Sequence, residues 1–407
     1  MSSTAVLRVL NIGQNYRVIG GADVYFLALE KLLRRFGHEV IPFAATNPEN
    51  FPSEWSSFFP VGADFDHPGP RDLFQYVYSF PARAAMARLL ASKEIDLAHL
   101  HIYYGKLTGS ILGTLRAKGI PMVQTLHEYK IVCPTYQLLA HGEICQACGG
   151  KAFWLAVRKR CNRGSLARSF LSAVESYASR CCGNVSGIDH FIAVSDFVRN
   201  KMIELGLPAE KVTTVHNFVD ANGTQPNRRP GEYFLYFGRI ERVKGIFTLI
   251  DTFRPLRDQR LFIVGGGSAQ PEVERIIKRE GLNHIRTIGF KVGIELENLI
   301  RRSICTITPS QWYETFGLTL LETFALGRPV VVSSIGGMTE IVSDGVDGFL
   351  SPPGDADALR EKILWMAAHR QEAAEMGMMG RRKVEERFNP DMHYQKIISV
   401  YRKVMGR

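Results

Sequence analysis

The sequence predicts an α/β protein built as two doubly wound, Rossmann-like domains facing across a cleft. Three observations predict it. Short apolar runs alternate with helical patterns along most of the 407 residues. Those runs are continuous, as in strands buried on both faces of a parallel sheet. A polar stretch at 220–231, with two prolines and two glycines, has no apolar periodicity and reads as an inter-domain linker.

The first half offers strands at 7–13, 38–44, 96–101, 121–127, 190–195 and 212–217. The second offers them at 233–238, 260–265, 285–289, 305–309 and 329–333. Helices between parallel strands give right-handed crossovers, and ligands of such sheets bind at the strands' carboxyl ends. Near the C-terminus, Tyr394, Ile397, Ile398, Tyr401 and Val404 recur at helical spacing. The domains expected are 1–220 and 221–389, with a terminal helix at 390–407.

Composition narrows the function classes. Hydrophobic residues make up 45% and charged residues 22%, a globular balance. No run of eighteen apolar residues predicts a membrane span. The N-terminus enters an apolar strand directly, without signal-peptide features, so a cytoplasmic protein is expected. The net charge of +10 admits nucleic acid, anionic membrane or anionic small molecules. Lys151, Arg158, Lys159, Arg160, Arg163 and Arg168 cluster without an acid among them, beside Phe153 and Trp154. Basic residues next to large apolar ones suit a helix lying on anionic lipid, at the inner face of the membrane. A solvated basic face is the alternative. Nucleic acid is disfavoured, because no aromatic-basic RNA motif or zinc-finger spacing accompanies the charge.

The chemistry concentrates in the segment 309–322. Glu314 lies just ahead of a helix start near Leu318, and Glu322 one to two turns inside it. Helix-start amides attract phosphate oxygens, and carboxylates accept hydrogen bonds from hydroxyls. That combination suits a sugar joined to a nucleoside diphosphate. Gly238-Arg239 and Lys244-Gly245 close the strand at 233–238, and their two cations can address one diphosphate. Gly265 begins a triple glycine after the strand at 260–265. The spacing is not that of a dinucleotide fingerprint, so NAD is rejected, while close approach to a nucleotide stays open. Gly20 and Gly21 precede a helix after the first strand. His127 and His101 end strands of the first half, where a hydrogen-bonded structural histidine is the alternative to a functional one. Cys133, Cys145, Cys148 and Cys161, with a central C-x-x-C, fit a tetrahedral structural zinc site. Buried thiols or a redox pair are the alternatives.

The chain resembles a family-4-type retaining glycosyltransferase of the GT-B fold. The resemblance runs through Gly20-Gly21-Ala22, Thr125-Leu126-His127-Glu128, Ala193-Val194-Ser195-Asp196, Gly238-Arg239, Lys244-Gly245, the segment 309–350, and Gly327-Arg328-Pro329 within it. It implies that Arg239 and Lys244 hold the diphosphate and that Glu314 contacts sugar hydroxyls with the backbone of Phe316, Gly317 and Leu318. It further implies that Thr319 and Leu320 offer N–H groups to phosphate and that Glu322 accepts from the ribose. Gly20 and Gly21 would close over the phosphates, His127 would face the transferred sugar, and the last helix would cross back to the first domain. Two departures stand out. Phe218 occupies a position usually glycine, and a cysteine-containing insert at about 133–182 follows the His127 strand. The insert leaves the acceptor, a glycan or lipid-linked glycan, to be identified.

The resemblance implies retention of anomeric configuration by a front-face route. No Asp-x-Asp motif stands at a strand end, so catalysis without a metal cofactor is expected. An epimerase or phosphorylase on the same plan, or a non-catalytic sugar-nucleotide-binding subunit, are the rival readings.

Overall fold

The computed structural model describes residues 5–65 and 67–406. Residues 1–4 and 66 of the first expected domain, and residue 407 of the expected terminal helix, lie outside the described residues. The chain divides into two compact units, 1–215 with 394–407, and 216–393.

In the first unit β1 (Arg8–Ile12), β2 (Glu39–Phe43), β3 (Leu97–Leu100) and β4 (Met122–Leu126) precede a small hairpin of β5 (Leu139–Ala140) and β6 (Glu143–Ile144). After it come β7 (His190–Ala193) and β8 (Val212–Thr214). The main sheet has the order β2-β1-β3-β4-β7-β8, with every pairing parallel. The second unit contains β9 (Tyr233–Phe237), β10 (Leu261–Val264), β11 (Ile285–Thr287), β12 (Ser303–Thr308), β13 (Val330–Ser333) and β14 (Gly348–Ser351). Its sheet is also parallel, in the order β11-β10-β9-β12-β13-β14. Both are doubly wound Rossmann-like sheets. Their strand order reverses between β1 and β3 in one and between β9 and β12 in the other, which is where such sheets bind ligands.

All eleven expected strands form, with ends within three residues of expectation. β9 is a continuous apolar run buried throughout, and β4 is buried throughout although it carries Gln124 and Thr125, as two-sided coverage requires. β14 was not expected, because it opens on glycine and carries only two apolar residues, Phe349 and Leu350. A β-carbon on Gly348 would stand 2.3 Å from the Val330 carbonyl oxygen of β13. The second core gathers Phe234, Ile246, Leu249, Phe253, Leu261, Ile263, Ile307 and Val331.

Residues 220–231, expected as a linker, belong to the second unit and are tied to it. Arg381 donates to the carbonyls of Ala221 and Thr224, each at 2.9 Å. The fully buried Arg328 donates to those of Arg229 at 2.8 Å and Arg301 at 2.7 Å. Polar composition here marks backbone captured by guanidinium groups rather than a free tether. At the other end, Tyr394 stacks on Phe36 with ring centroids 3.6 Å apart and meets His38 Nε2 at 2.9 Å. The Tyr401 hydroxyl lies 2.6 Å from His99 Nδ1.

The basic cluster is not one helix. Helix Trp154–Arg158 stops after five residues, Arg160 and Arg163 take left-handed backbone with φ of 48° and 52°, and a second helix runs Leu166–Cys181. The reversal leaves all six basic side chains exposed. The insert is anchored from within by the buried pair Lys130–Glu175, 2.6 Å apart. Among the described residues no helix is long and apolar enough to cross a membrane.

Candidate functional site

The segments singled out in the second half leave neighbouring strands at that sheet's reversal point. β9 ends in Gly238 and Arg239, and a tight turn, Arg242–Lys244, follows. β12 ends in the loop that carries Glu314. Backbone contact between the two loops brings their side chains together. The Gln311 N–H donates to the Val243 carbonyl at 2.9 Å. Gly245 is left-handed, with φ of 71°. β10 joins the same crowd, since a β-carbon on Gly265 would lie 1.9 Å from the Gly238 carbonyl.

Lys244 and Glu314 therefore meet. Nζ is 2.6 Å from Oε1, and the Ser310 hydroxyl donates to the same oxygen at 2.5 Å. The Lys244 ammonium also sits 4.9 Å from the centre of the Trp312 ring. Burial pushes the Glu314 carboxyl up, but the Lys244 charge and the donors around it more than offset this and hold it below its ordinary value. Arg239 is exposed and pairs with Glu241 at 3.1 Å. Its carbonyl accepts from the Tyr236 hydroxyl at 2.6 Å.

Helix Leu318–Ala325 opens from Gly317, whose φ of 115° only glycine adopts readily. Phe316 ahead of it is buried. The Leu320 N–H donates to the Gly317 carbonyl at 3.0 Å and is committed inside the first turn. Leu318 and Thr319 are half-buried. Glu322, one turn on, has no hydrogen-bond or ion-pair partner among the described residues, and burial alone pushes it up to about 7. A half-buried carboxylate without a protein donor is prepared for donors brought by a ligand.

In the first unit, Gly20 opens helix Gly21–Arg35. The Gly20 N–H donates to Asp23 Oδ2 at 3.0 Å and that of Ile19 at 3.1 Å, so this helix start is capped from within. No atom lies within 4 Å of a β-carbon built on Gly20, which leaves open space beside it. Tyr25 of the same helix packs its ring 5.1 Å from that of His127. His127 Nε2 lies 3.0 Å from His101 Nδ1. Burial lowers the His127 imidazole to about 3, so it is neutral at pH 7.

Cys133, Cys145, Cys148 and Cys161 of the insert gather in one region. Burial first, then the charges of Cys133, Cys161 and Cys145, push Cys148 up to about 12. Among the described residues no three of these thiols bring their sulfurs within 4.8 Å of one another. Sulfurs sharing a tetrahedral zinc stand about 3.8 Å apart.

Sequence reading missed Ser310, Trp312 and Tyr236, which dress the ion pair and the β9 loop. It also missed Asn11, visible only as an amide inside the apolar run of β1.

Residues 19–222 match the model for Glycosyltransferase Family 4, and residues 223–383 that for Glycosyl transferases group 1. An uncharacterized glycosyltransferase of Methanocaldococcus jannaschii is 26% identical over 216 residues, 53% of this chain and 59% of its own length. A glycogen synthase of Mycobacterium tuberculosis is 26% identical over 387 residues, 88% of this chain and 85% of its own. Among solved structures, sucrose-phosphate synthase from Thermosynechococcus elongatus superposes with a TM-score of 0.76 at 20% identity, covering 98% of this chain and 99% of its own. The Anabaena protein HepE, in complex with UDP and glucose, superposes at 0.66 and 19% identity, covering 97% and 99%.

Glu322 gives a pH test. Its folded value near 7 lies above the unfolded value of 4.5, so protonation favours the folded state. The stability it contributes is full below about pH 4.5 and is lost as pH rises towards about 7. Two and a half pH units correspond to at most ~3 kcal/mol. Glu322→Gln is expected to remove this slope. Comparing unfolding midpoints of the two proteins from pH 4 to 8 checks it; parallel curves contradict the account.

Proposed function

We propose, for a chain that belongs to the family 4 and group 1 glycosyltransferases, that it transfers a sugar from a nucleoside-diphosphate donor to a glycan or lipid-linked glycan with retention of anomeric configuration. It is a glycosyltransferase of group 1 type that uses nucleotide sugars. The observation that carries the donor reading is the pairing, at one strand-order reversal, of a Lys244–Glu314 ion pair with the unpartnered carboxylate of Glu322. HepE, with UDP and glucose bound, makes a uridine donor the first to try.

In this reading the diphosphate draws on Lys244 and Arg239, and the Leu318 and Thr319 amides at the start of helix Leu318–Ala325 face its oxygens. Glu314 and the backbone of Phe316, Gly317 and Leu318 engage sugar hydroxyls. Glu322 accepts from the ribose, which gives its carboxylate the donors the protein withholds. The bond between the anomeric carbon and the phosphate oxygen breaks, and the nucleoside diphosphate leaves with the electron pair. The acceptor hydroxyl attacks from the same face and passes its proton to the departing phosphate. Lys244 and Arg239 stabilise the charge that builds on that phosphate, a preorganised electrostatic effect. They supply the positive charge that a divalent ion would otherwise bring.

The acceptor side is supported by the surface of the first unit. Trp154, Leu166, Phe170 and Tyr177 are exposed large apolar residues lying among the six exposed cations. Helix Leu166–Cys181 packs against helix Pro70–Val77, which adds exposed Leu73 and Phe74. Apolar side chains ringed by cations suit the headgroup region of an anionic bilayer, where a lipid-linked acceptor resides.

Lys244→Ala is expected to lower turnover by about 10²- to 10³-fold, measured as nucleotide release in the presence of acceptor; unchanged turnover refutes its role. Flotation with vesicles tests the surface. The protein is expected to rise with anionic vesicles at low salt and to stay down with zwitterionic ones. Charge reversal at Arg158, Arg160 and Arg168 is expected to abolish the association. Equal behaviour with both vesicle types, or none at all, removes the membrane from the proposal.

A further inference from the structure

A chain of side-chain hydrogen bonds crosses the first unit's sheet and ends on His127. It begins at Asn11 in β1, which is fully buried. Asn11 Nδ2 donates to the Phe26 carbonyl at 3.2 Å, and this fixes the amide's orientation. Asn11 Oδ1 then faces His101 Nε2 at 2.8 Å. An amide oxygen only accepts, so His101 Nε2 carries the proton. A neutral imidazole carries one proton, which leaves His101 Nδ1 bare. That bare nitrogen lies 3.0 Å from His127 Nε2, so His127 must donate from Nε2. Its own Nδ1 is left as a lone pair, with no protein partner among the described residues.

The surroundings hold both rings neutral and still. His101 is 2% exposed and stacks between His99, at 4.4 Å and 20°, and His127, at 5.3 Å and 26°. Tyr25 and Phe26 of helix Gly21–Arg35 close over the His101 ring at 5.7 Å and 5.3 Å. His99 is engaged on both nitrogens, by Tyr401 at 2.6 Å and Thr125 at 2.7 Å. The groups facing His101 that can titrate are thus His99, His127 and Tyr25. Burial is the main cause that pushes His101 and His127 down, and it raises Tyr25.

We propose that Asn11 and His101 are positioning residues that lock His127 in its Nε2–H tautomer, so that its Nδ1 stands as a fixed hydrogen-bond acceptor for a substrate hydroxyl. The inference rests on the glycosyl-transfer reading only for the hydroxyl; the tautomer follows from the amide. A free histidine titrates near pH 6.5 and exchanges tautomers. One held this way accepts at Nδ1 and never donates there, across the neutral range. The arrangement therefore favours a hydroxyl that can donate and rejects a substituent that can only accept.

The test is nitrogen NMR of the full-length protein with ¹⁵N-labelled histidine, read between pH 6 and 8. The expected spectrum shows His127 neutral, protonated at Nε2 and bare at Nδ1, without a titration step in that range. A protonated Nδ1 or an imidazolium near pH 7 overturns the proposal. His101→Phe keeps the ring and removes both hydrogen bonds. It is expected to release the His127 tautomer and to lower kcat/KM by about 10- to 100-fold. Added to His127→Ala, it is expected to have almost no further effect, because the two act as one unit. Fully additive losses would mean that His101 merely fills space and would also overturn the proposal. Asn11→Asp offers an independent inversion: a carboxylate favours imidazolium at His101, which then donates to His127 and moves that proton to Nδ1. An unchanged His127 spectrum in a folded Asn11→Asp protein contradicts the chain. If no transfer is ever detected, the functional reading falls while the spectrum still decides the tautomer.

Discussion

A β-carbon on Gly245 would stand 1.7 Å from the Pro309 carbonyl oxygen, and one on Gly336 would stand 2.4 Å from that of Glu314. Contacts this close exist only between bare backbones. They press the loops after β9 and β13 against the loop after β12, beside the place where the second sheet reverses its strand order. The Lys244–Glu314 pair, the Ser310 hydroxyl on it and the Trp312 ring beside it all depend on that approach. Substituting either glycine would separate the loops before it altered any charge.

The two glutamates of this region illustrate how environment assigns roles. Glu314 is buried but surrounded by donors and a cation, so it stays ionised. Glu322 is half-buried and has no partner among the described residues, so burial raises it to about 7. Identical side chains are thereby prepared for different states before any ligand arrives. Of the two carboxylates, that of Glu322 has the fewer protein donors, and hydroxyls from a ligand would supply them. The first unit follows the opposite course: its histidine column has nearly all its hydrogen-bonding capacity satisfied internally, and only the last nitrogen is left over.

Much of this was legible in the sequence. Buried parallel strands announce themselves as short, mostly apolar runs between helical patterns, and eleven were legible that way. Lys244 beside Gly245 follows one strand, Glu314 lies ahead of a helix start and Glu322 inside that helix, which is how the sequence singles them out. Local pattern could not show that residues 220–231 are held by Arg328 and Arg381, since those guanidiniums come from far along the chain. It could not show that the basic cluster folds back on itself, because left-handed backbone at two arginines has no compositional signature. Nor could it show that Asn11 addresses His101, ninety residues away; that contact depends on β1 and β3 being neighbours. β14, opening on a glycine pressed against β13, carries too little apolar sequence to be seen.

In the proposed reading the second unit holds a nucleoside diphosphate through its phosphates. Thermal unfolding of the full chain with a panel of uridine, guanosine and adenosine mono- and diphosphates and their sugars tests it most directly, since a ligand bound only by the folded state raises the apparent transition by an amount set by its affinity. The account predicts that one diphosphate and its sugar raise the transition strongly and the matching monophosphate does so far less. Uniformly flat responses, or equal shifts from mono- and diphosphates, would contradict it.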